Sequence, residues 1–295
     1  MKRMFIAGCG YIGRRVAWLA REAGWEVTCL VRSADHGGEL VEEGFKTVVC
    51  TLDDPAGLSC LDVTGSVLLY SVPPPGGGIL DSRARNFCIA LSAAAAPAKI
   101  IYLSATSVYS ETTGGVVTEA VPAAPASAMG KRRLDAEEAF REYGASHRAE
   151  VVILRVSGIY GPGRLPLMQI SQGQPLLREE EAGPSNRIHA DDLAAICLAA
   201  AQRGADGAIF NVSDGHPSSM TTYFNAVADA LGLARQLQVT REEARRVMSP
   251  LMFSYVSESR VVDNTLMLEK LGITLRYPTL AEGLNASISL VEGKP

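Results

Sequence analysis

Short apolar runs alternate along this chain with amphipathic stretches. Met4-Phe5-Ile6-Ala7, Glu26-Val27-Thr28-Cys29-Leu30-Val31 and Thr47-Val48-Val49-Cys50 have the length and near-continuous hydrophobicity of strands covered on both faces. Between the first two, Val16, Leu19, Ala20 and Ala23 recur at helical spacing up to Gly24, and after Gly37-Gly38 the stretch Glu39 to Gly44 predicts a short helix. Val67 to Tyr70, Lys99 to Leu103, Val151 to Arg155 and Ile209 to Val212 read as further strands. Arg85 to Ala96 and Leu193 to Gln202 read as helices. Strict alternation of strand and helix predicts an α/β protein built on a doubly wound parallel sheet.

The last third changes character. Thr221 or Thr222 can cap a helix running through Phe224, Val227, Ala228 and Leu231 to Gly232. Arg241 to Met248, Asn264 to Leu271 and a final segment to about Leu290 complete a mostly helical lobe. Residues 1–163 and 186–214 are expected to form the Rossmann domain, and residues 164–185 and 215–295 the smaller substrate-side lobe.

Where the first strand meets the first helix the chain reads Gly8-Cys9-Gly10-Tyr11-Ile12-Gly13, a G-x-G-x-x-G set in a βαβ unit. Gly8 permits the turn, Gly10 lets a pyrophosphate approach the backbone, and Gly13 lets helix and strand pack closely; the helix N-terminus then faces the phosphates, with Tyr11 and Ile12 beside them. An NAD-type site would carry Asp or Glu about 20 residues beyond the glycines to hold the ribose 2′-hydroxyl. That neighbourhood here is Leu30-Val31-Arg32-Ser33, which suits a 2′-phosphate, so NADP(H) is expected in preference to NAD(H). Thr51 and Leu52, at the third strand's end, are candidate adenine contacts, with a helix cap at Asp53 or Asp54 before Pro55 as the alternative. The run Ser71-Val72-Pro73-Pro74-Pro75-Gly76-Gly77-Gly78 can continue neither regular element. Its first residues are expected over the cofactor.

Composition narrows the function classes. Hydrophobic residues at 47% and charged residues at 20% describe a globular chain, and a formal net charge of −4 gives no footprint for nucleic acid or anionic membranes. Six cysteines without a C-x-x-C pair read as reduced core residues of a cytoplasmic protein. Phe5-Ile6-Ala7-Gly8-Cys9 after Met1-Lys2-Arg3 is too short for the apolar part of a signal peptide. The four histidines lack metal-ligand spacing, so no metal is expected, and no G-x-S-x-G elbow is present. His189 precedes a helix that Asp191 or Asp192 could cap.

The glycine motif, Ile101-Tyr102-Leu103-Ser104-Ala105-Thr106-Ser107-Val108-Tyr109, Leu154-Arg155 with Gly158-Ile159-Tyr160-Gly161-Pro162-Gly163, and Arg187-Ile188-His189-Ala190-Asp191-Asp192-Leu193 occur in an order that resembles the extended short-chain dehydrogenase/reductases. That group includes the NAD-dependent epimerases and dehydratases, and the likeness spans nearly the whole chain. The resemblance implies a Ser or Thr four residues before the tyrosine of the V-Y pair, and a Tyr-x-x-x-Lys on the following helix. Here those places fall on Ala105, Met129 and Arg133: all three are altered. It also places Ser104, Arg133, Ser157 and Ile159 beside the cofactor, and Tyr160, Arg164 and Arg187 toward the substrate. Lys131 faces about 200° away from the missing lysine's place. Thr106, provided the strand has ended before it, and Tyr109 are the candidate catalytic groups. Arg133 can hold ribose hydroxyls but relays protons poorly.

Two functions are compatible with this set. One is an NADP(H)-dependent oxidoreductase or epimerase-like enzyme acting on a carbonyl, alcohol or nucleotide-sugar substrate with non-standard proton chemistry. The alternative is a catalytically silent NADP(H)-binding sensor or regulatory protein. A homodimer is a family-based expectation.

Overall fold

Successive residues of the first strand serve two different cores. Met4 and Ile6 pack with the cluster beneath the helix that follows, while Phe5 and Ala7 pack with the cluster on the opposite face, because side chains alternate across a strand. In the computed structural model, which describes residues 1–54, 58, 61–92, 96–257 and 259–291, the chain runs β1 (Arg3–Ala7), α1 (Tyr11–Glu22), β2 (Glu26–Val31), α2 (Ala34–Glu42), β3 (Lys46–Val49) and β4 (Val67–Tyr70). It continues through α3 (Ser82–Ser92), β5 (Lys99–Ala105), the short β6 (Val116–Val117), α4 (Ala128–His147), β7 (Glu150–Val156), β8 (Gly158–Tyr160), α5 (Leu167–Ser171), β9 (Leu176–Leu177) and β10 (Arg187–His189). α6 (Ala190–Arg203), β11 (Ile209–Val212), α7 (Met220–Ala230), β12 (Gln238–Val239), α8 (Arg241–Val247), α9 (Pro250–Ser257), β13 (Val261–Val262), α10 (Thr265–Leu271) and α11 (Leu280–Val291) follow.

The fold is α/β. A seven-stranded sheet in the order β11-β7-β5-β4-β1-β2-β3 has every neighbouring pair parallel. The strand order reverses between β1 and β4, and the crevice outside the carboxyl ends at such a reversal is where an α/β sheet binds ligands. A smaller apolar cluster, with Tyr160, Ile170, Leu176, Tyr223, Phe224 and Leu284, lies among the C-terminal helices. Among the described residues, no helix is long and apolar enough to cross a membrane.

Several elements depart from the sequence pattern. α2 begins at Ala34 and contains Gly37 and Gly38; Gly37 is accepted because a Cβ there would stand only 3.0 Å from Val49, so a side chain would wedge the helix off β3. α3 starts at Ser82 because the Asp81 carboxylate accepts the Ala84 N–H at 3.0 Å. α7 is capped by Ser219, whose hydroxyl accepts the Thr222 N–H, not by Thr221 or Thr222. His189 itself caps α6, its Nδ1 accepting the Asp191 N–H, while the Asp192 carboxylate receives the N–H groups of Arg276 and Tyr277. α10, expected in the smaller lobe, packs Met267 and Leu271 into the core on the α1 and α6 side of the sheet. Residues 93–95, Pro55 and Cys60 lie outside the described residues.

The C-terminal ends of the strands are tied together by a buried polar chain. Glu137 of α4, fully buried, accepts from Ser104 Oγ at 2.6 Å and from Arg155 Nε and Nη2 at 3.1 and 2.8 Å. Arg155 Nη1 also donates to the Tyr109 hydroxyl at 3.0 Å, which donates to Asn211 Oδ1 at 2.8 Å. Removing one partner of such a pair strands the other charge in the core. Glu137→Ala is therefore expected to cost about 3–5 kcal/mol in urea unfolding, and Arg155→Ala a comparable amount.

Candidate active site

A cleft of about 500 Å³ opens at the sheet's carboxyl edge, from the end of β2 across the glycine turn to β5, β7 and α4. At the glycine turn, Gly8 has φ +89°, and a Cβ there would meet Val72 at 2.9 Å. A Cβ on Gly13 would stand 2.6 Å from the Gly8 carbonyl, so this glycine permits helix–strand contact and stays out of the cleft. Gly10 has nothing within 4 Å of its Cβ position, and the space it leaves open belongs to the cleft. α1 starts immediately after it with no acidic residue in its first turn, so its positive end meets the cleft without a local counter-charge.

Of the residues expected at a dinucleotide, Gly8, Gly10, Tyr11, Ile12, Arg32, Thr51 and Leu52 line the cleft. So do Ser71, Val72, Pro73, Ser104, Arg133 and Ile159. Ser33 does not: it is the exposed, extended residue capping α2. Ser157 is buried instead, donating to the Val212 carbonyl at 2.8 Å and so tying β7 to β11.

Sequence reasoning missed His36, Asp53, Arg83 and Cys9, all in the cleft wall. Arg83 forks onto the Asp53 carboxylate at 2.6 and 2.9 Å and reaches the Pro73 carbonyl at 3.2 Å, pinning the Pro run to the end of β3. The guanidinium holds the Asp53 carboxyl below its usual range. His36 donates from Nε2 to the Cys9 carbonyl at 2.8 Å, with the Glu39 carboxylate 3.2 Å from Nδ1. No local signal marked His36, because the sequence pattern placed the helix only from Glu39, whereas α2 begins at Ala34. Arg32 forms no ion pair with another described residue.

At the other end, β5 stops at Ala105, and Thr106–Val108 form a single 3-10 turn. The strand has therefore ended before Thr106, as a catalytic role for that residue required, although Thr106 stands half-buried outside the cleft wall. Tyr109 corrects the expectation made for it. Its ring is 2% exposed and its hydroxyl is shared between Arg155 and Asn211, so it cannot meet a substrate. Met129 and Arg133 lie in the first turns of α4, and Lys131 points to solvent. Arg133 donates from Nη1 to the Leu103 carbonyl at 3.0 Å, and its side chain lines the cleft.

Of the substrate-side candidates, only Arg164 lines the cleft, its guanidinium 4.6 Å from the Tyr11 ring centroid. Tyr160 is 1% exposed, packed edge-on against His189 and Tyr223 in the smaller cluster. Arg187 is buried, spends its guanidinium on Ser185, Ser218 and Ser219, and lies over Tyr223. Burial brings it down to about 10. Both are parts of the lobe's interior and not ligand contacts. Among the described residues, no group of histidine, cysteine and carboxylate side chains could hold a metal.

The open cradle at Gly10, the helix N-terminus with no acidic residue in its first turn, and the guanidinium side chains of Arg32 and Arg133 in the cleft wall fit a dinucleotide. Residues 84–213 match the model of the NAD dependent epimerase/dehydratase family. The chain is 24% identical to protein YeeZ of Escherichia coli K12 over 287 residues, 94% of this chain and 97% of that protein. It is also 24% identical to the 2'-dehydrokanamycin reductase of Streptomyces kanamyceticus over 244 residues, 79% of this chain and 67% of that one. The solved UDP-glucuronic acid 4-epimerase from Bacillus cereus, in complex with NAD, superposes with TM-score 0.75 at 17% identity and 99% coverage of both chains.

Two measurements check this geometry. Gly10→Ala should leave urea stability within about 0.5 kcal/mol of the parent, whereas Gly13→Ala should cost about 1–3 kcal/mol through overpacking. Asp214, 4% exposed, has its carboxyl lifted by burial to about 6, against the His216 N–H and Arg187, which favour the charge. A carboxyl raised in the folded state contributes stability that is full below its unfolded value and is lost as pH rises through about 6. Asp214→Asn, which keeps an acceptor for His216, should therefore gain on the parent between pH 4 and pH 7, by roughly 2 kcal/mol in paired denaturation series.

Proposed function

We propose that this chain is an extended short-chain dehydrogenase/reductase of the NAD-dependent epimerase/dehydratase type that binds NADP(H) in preference to NAD(H) and acts as an oxidoreductase on a carbonyl or alcohol substrate. The observation that carries the cofactor preference is Arg32. It is a cation in the cleft wall at the end of β2, where an NAD-type site needs a carboxylate, and it has no ion-pair partner among the described residues. The nearest acid in the wall, Asp53, is already claimed by Arg83. A 2′-phosphate thus meets an available guanidinium fork.

A nicotinamide dinucleotide held by the glycine turn, Arg32 and Arg133 would supply hydride transfer to or from the substrate carbon. Arg133 takes the orienting part of the family's lysine, its guanidinium in the cleft wall facing a ribose hydroxyl while its charge stays fixed, so it positions without relaying a proton. With Ala105 and Met129 at the other two places and Tyr109 buried, the proton at the substrate oxygen comes from Thr106 or from water. Leu103, Val156 and Ile159 give that end of the cleft an apolar wall. The reductase among the relatives supports this reading over a sugar-nucleotide epimerase, and so does the inward use of Arg187, which leaves no diphosphate clamp at that position.

A second reading, a nucleotide sensor without chemistry, is favoured by the same three altered places. Loss of a positioned acid costs about 10²- to 10⁴-fold in rate, whereas binding needs none of those groups. Fluorescence titration with NADPH and NADH is expected to show NADPH bound at least tenfold more tightly, with Arg32→Ala abolishing the difference and sparing NADH. Equal affinities would end the NADP(H) assignment. In a carbonyl screen with NADPH, Thr106→Ala should lower turnover at unchanged NADPH affinity. No turnover of any carbonyl, alongside tight NADPH binding, would select the sensor.

A further inference from the structure

Resting on the dinucleotide reading above, we propose that Cys9 and Cys29 form a redox-sensitive pair: oxidation to a disulfide deforms the glycine turn and weakens dinucleotide binding, and a bound dinucleotide protects the pair. Cys9 lies between the first two glycines of the turn, and its Sγ is 3.1 Å from the Sγ of Cys29 on β2. Both are essentially buried, at 1% and 0% exposure. The two partners differ in freedom. Cys29 sits inside the sheet, paired with Ile6 on one side and Thr47 on the other, whereas Cys9 belongs to a turn closed by Gly10 N–H to Gly8 carbonyl at 2.8 Å.

A disulfide requires a sulfur separation of about 2.05 Å, so the pair must close by roughly 1 Å. Because the strand is held on both edges, the turn does the moving. Cys9 holds the turn to its neighbours in two ways, donating its N–H to the Leu30 carbonyl at 3.2 Å and accepting His36 Nε2 on its own carbonyl at 2.8 Å. Pulling it toward β2 displaces the backbone against which the phosphates would lie, together with the His36 contact. Gly10, the next residue, carries the open face of the cradle.

The chemistry balances with a hydroperoxide as oxidant. Cys9 thiolate attacks the peroxide oxygen, giving a sulfenic acid and releasing water from hydrogen peroxide. The Cys29 sulfur then displaces the sulfenic oxygen as a second water. Two thiols lose two electrons and two protons, and one peroxide is reduced to two waters. An external thiol reverses the bond by exchange. Hydrogen bonding to Cys29 and burial push the Cys9 thiol far above its usual range, so reaction waits for the turn to open into the empty cleft. Phosphates seated on the turn hold it shut, and that is the source of the protection.

The test uses the full chain treated with hydrogen peroxide, with and without saturating NADP⁺, followed by non-reducing peptide mass mapping and NADPH titration. The expected result is a Cys9–Cys29 disulfide in the nucleotide-free sample, NADPH affinity at least tenfold weaker and restored by dithiothreitol, and disulfide formation slowed at least fivefold by NADP⁺. Cys29→Ala, which alters no residue of the cleft wall, should retain its NADPH affinity through the same treatment. A disulfide through Cys50, which also lines the cleft, no Cys9–Cys29 link, or that link with unchanged affinity overturns the proposal. A reduced, untreated protein that binds neither nucleotide overturns the functional reading itself, and the nucleotide switch falls with it. The untreated sample distinguishes that failure from the others.

Discussion

The buried contact between Glu137 and Arg155 is the constraint on which the carboxyl edge of this protein depends. Neither charge has access to water; Arg155 depends on Glu137, Glu137 is held by Arg155 and also by Arg141 one turn on at 3.3 Å, and both need their remaining lone pairs and N–H groups filled. Ser104, Tyr109 and Asn211 fill them, which joins β5, the turn after it, β7 and β11 to α4. Residues four apart share one helix face, so locking Glu137 against the sheet also sets Arg133 one turn earlier, and Met129 a turn before that. The helix cannot slide to bring another side chain into the place that Met129 occupies.

On the proposed reading, binding and chemistry are divided along the cleft. At one end the arginine at the end of β2 stands with the Arg83–Asp53 clamp, and in the middle lie the open face of Gly10 and the N-terminus of α1. At the other end, apolar side chains surround a guanidinium that cannot give up its proton. Binding and proton transfer draw on different atoms. A chain can therefore retain the first in full and carry out the second weakly or with help from solvent.

Much of this was legible locally. The strand runs, the glycine turn and Arg32 at the end of β2 depend on properties of adjacent residues, whereas the order of the strands in the sheet came only with the structure. Other features were invisible for a common reason. Ser33 and Arg32 are neighbours, yet one lines the cleft and the other caps α2, since the chain turns between them. Tyr160 and Arg187 look like ligand contacts in a polar loop, and only the packing of Tyr223 and three serines around them shows that they are interior. Gly37 and Gly38 read as a break and proved to be a helix, because close approach to β3 favours a glycine there.

The amino-acid sequence by itself determined the α/β class and the glycine turn between β1 and α1, because each depends on residue type at short separation. Only the tertiary structure decided which polar side chains face the cleft and which are consumed within the protein. Tyr109, His36, Arg83 and the pair Cys9 and Cys29 take their roles from partners 20 to 102 positions away in the chain. A hydroxyl, a guanidinium or a thiol offers the same chemistry in any sequence, and what it does is set by the atoms that reach it first.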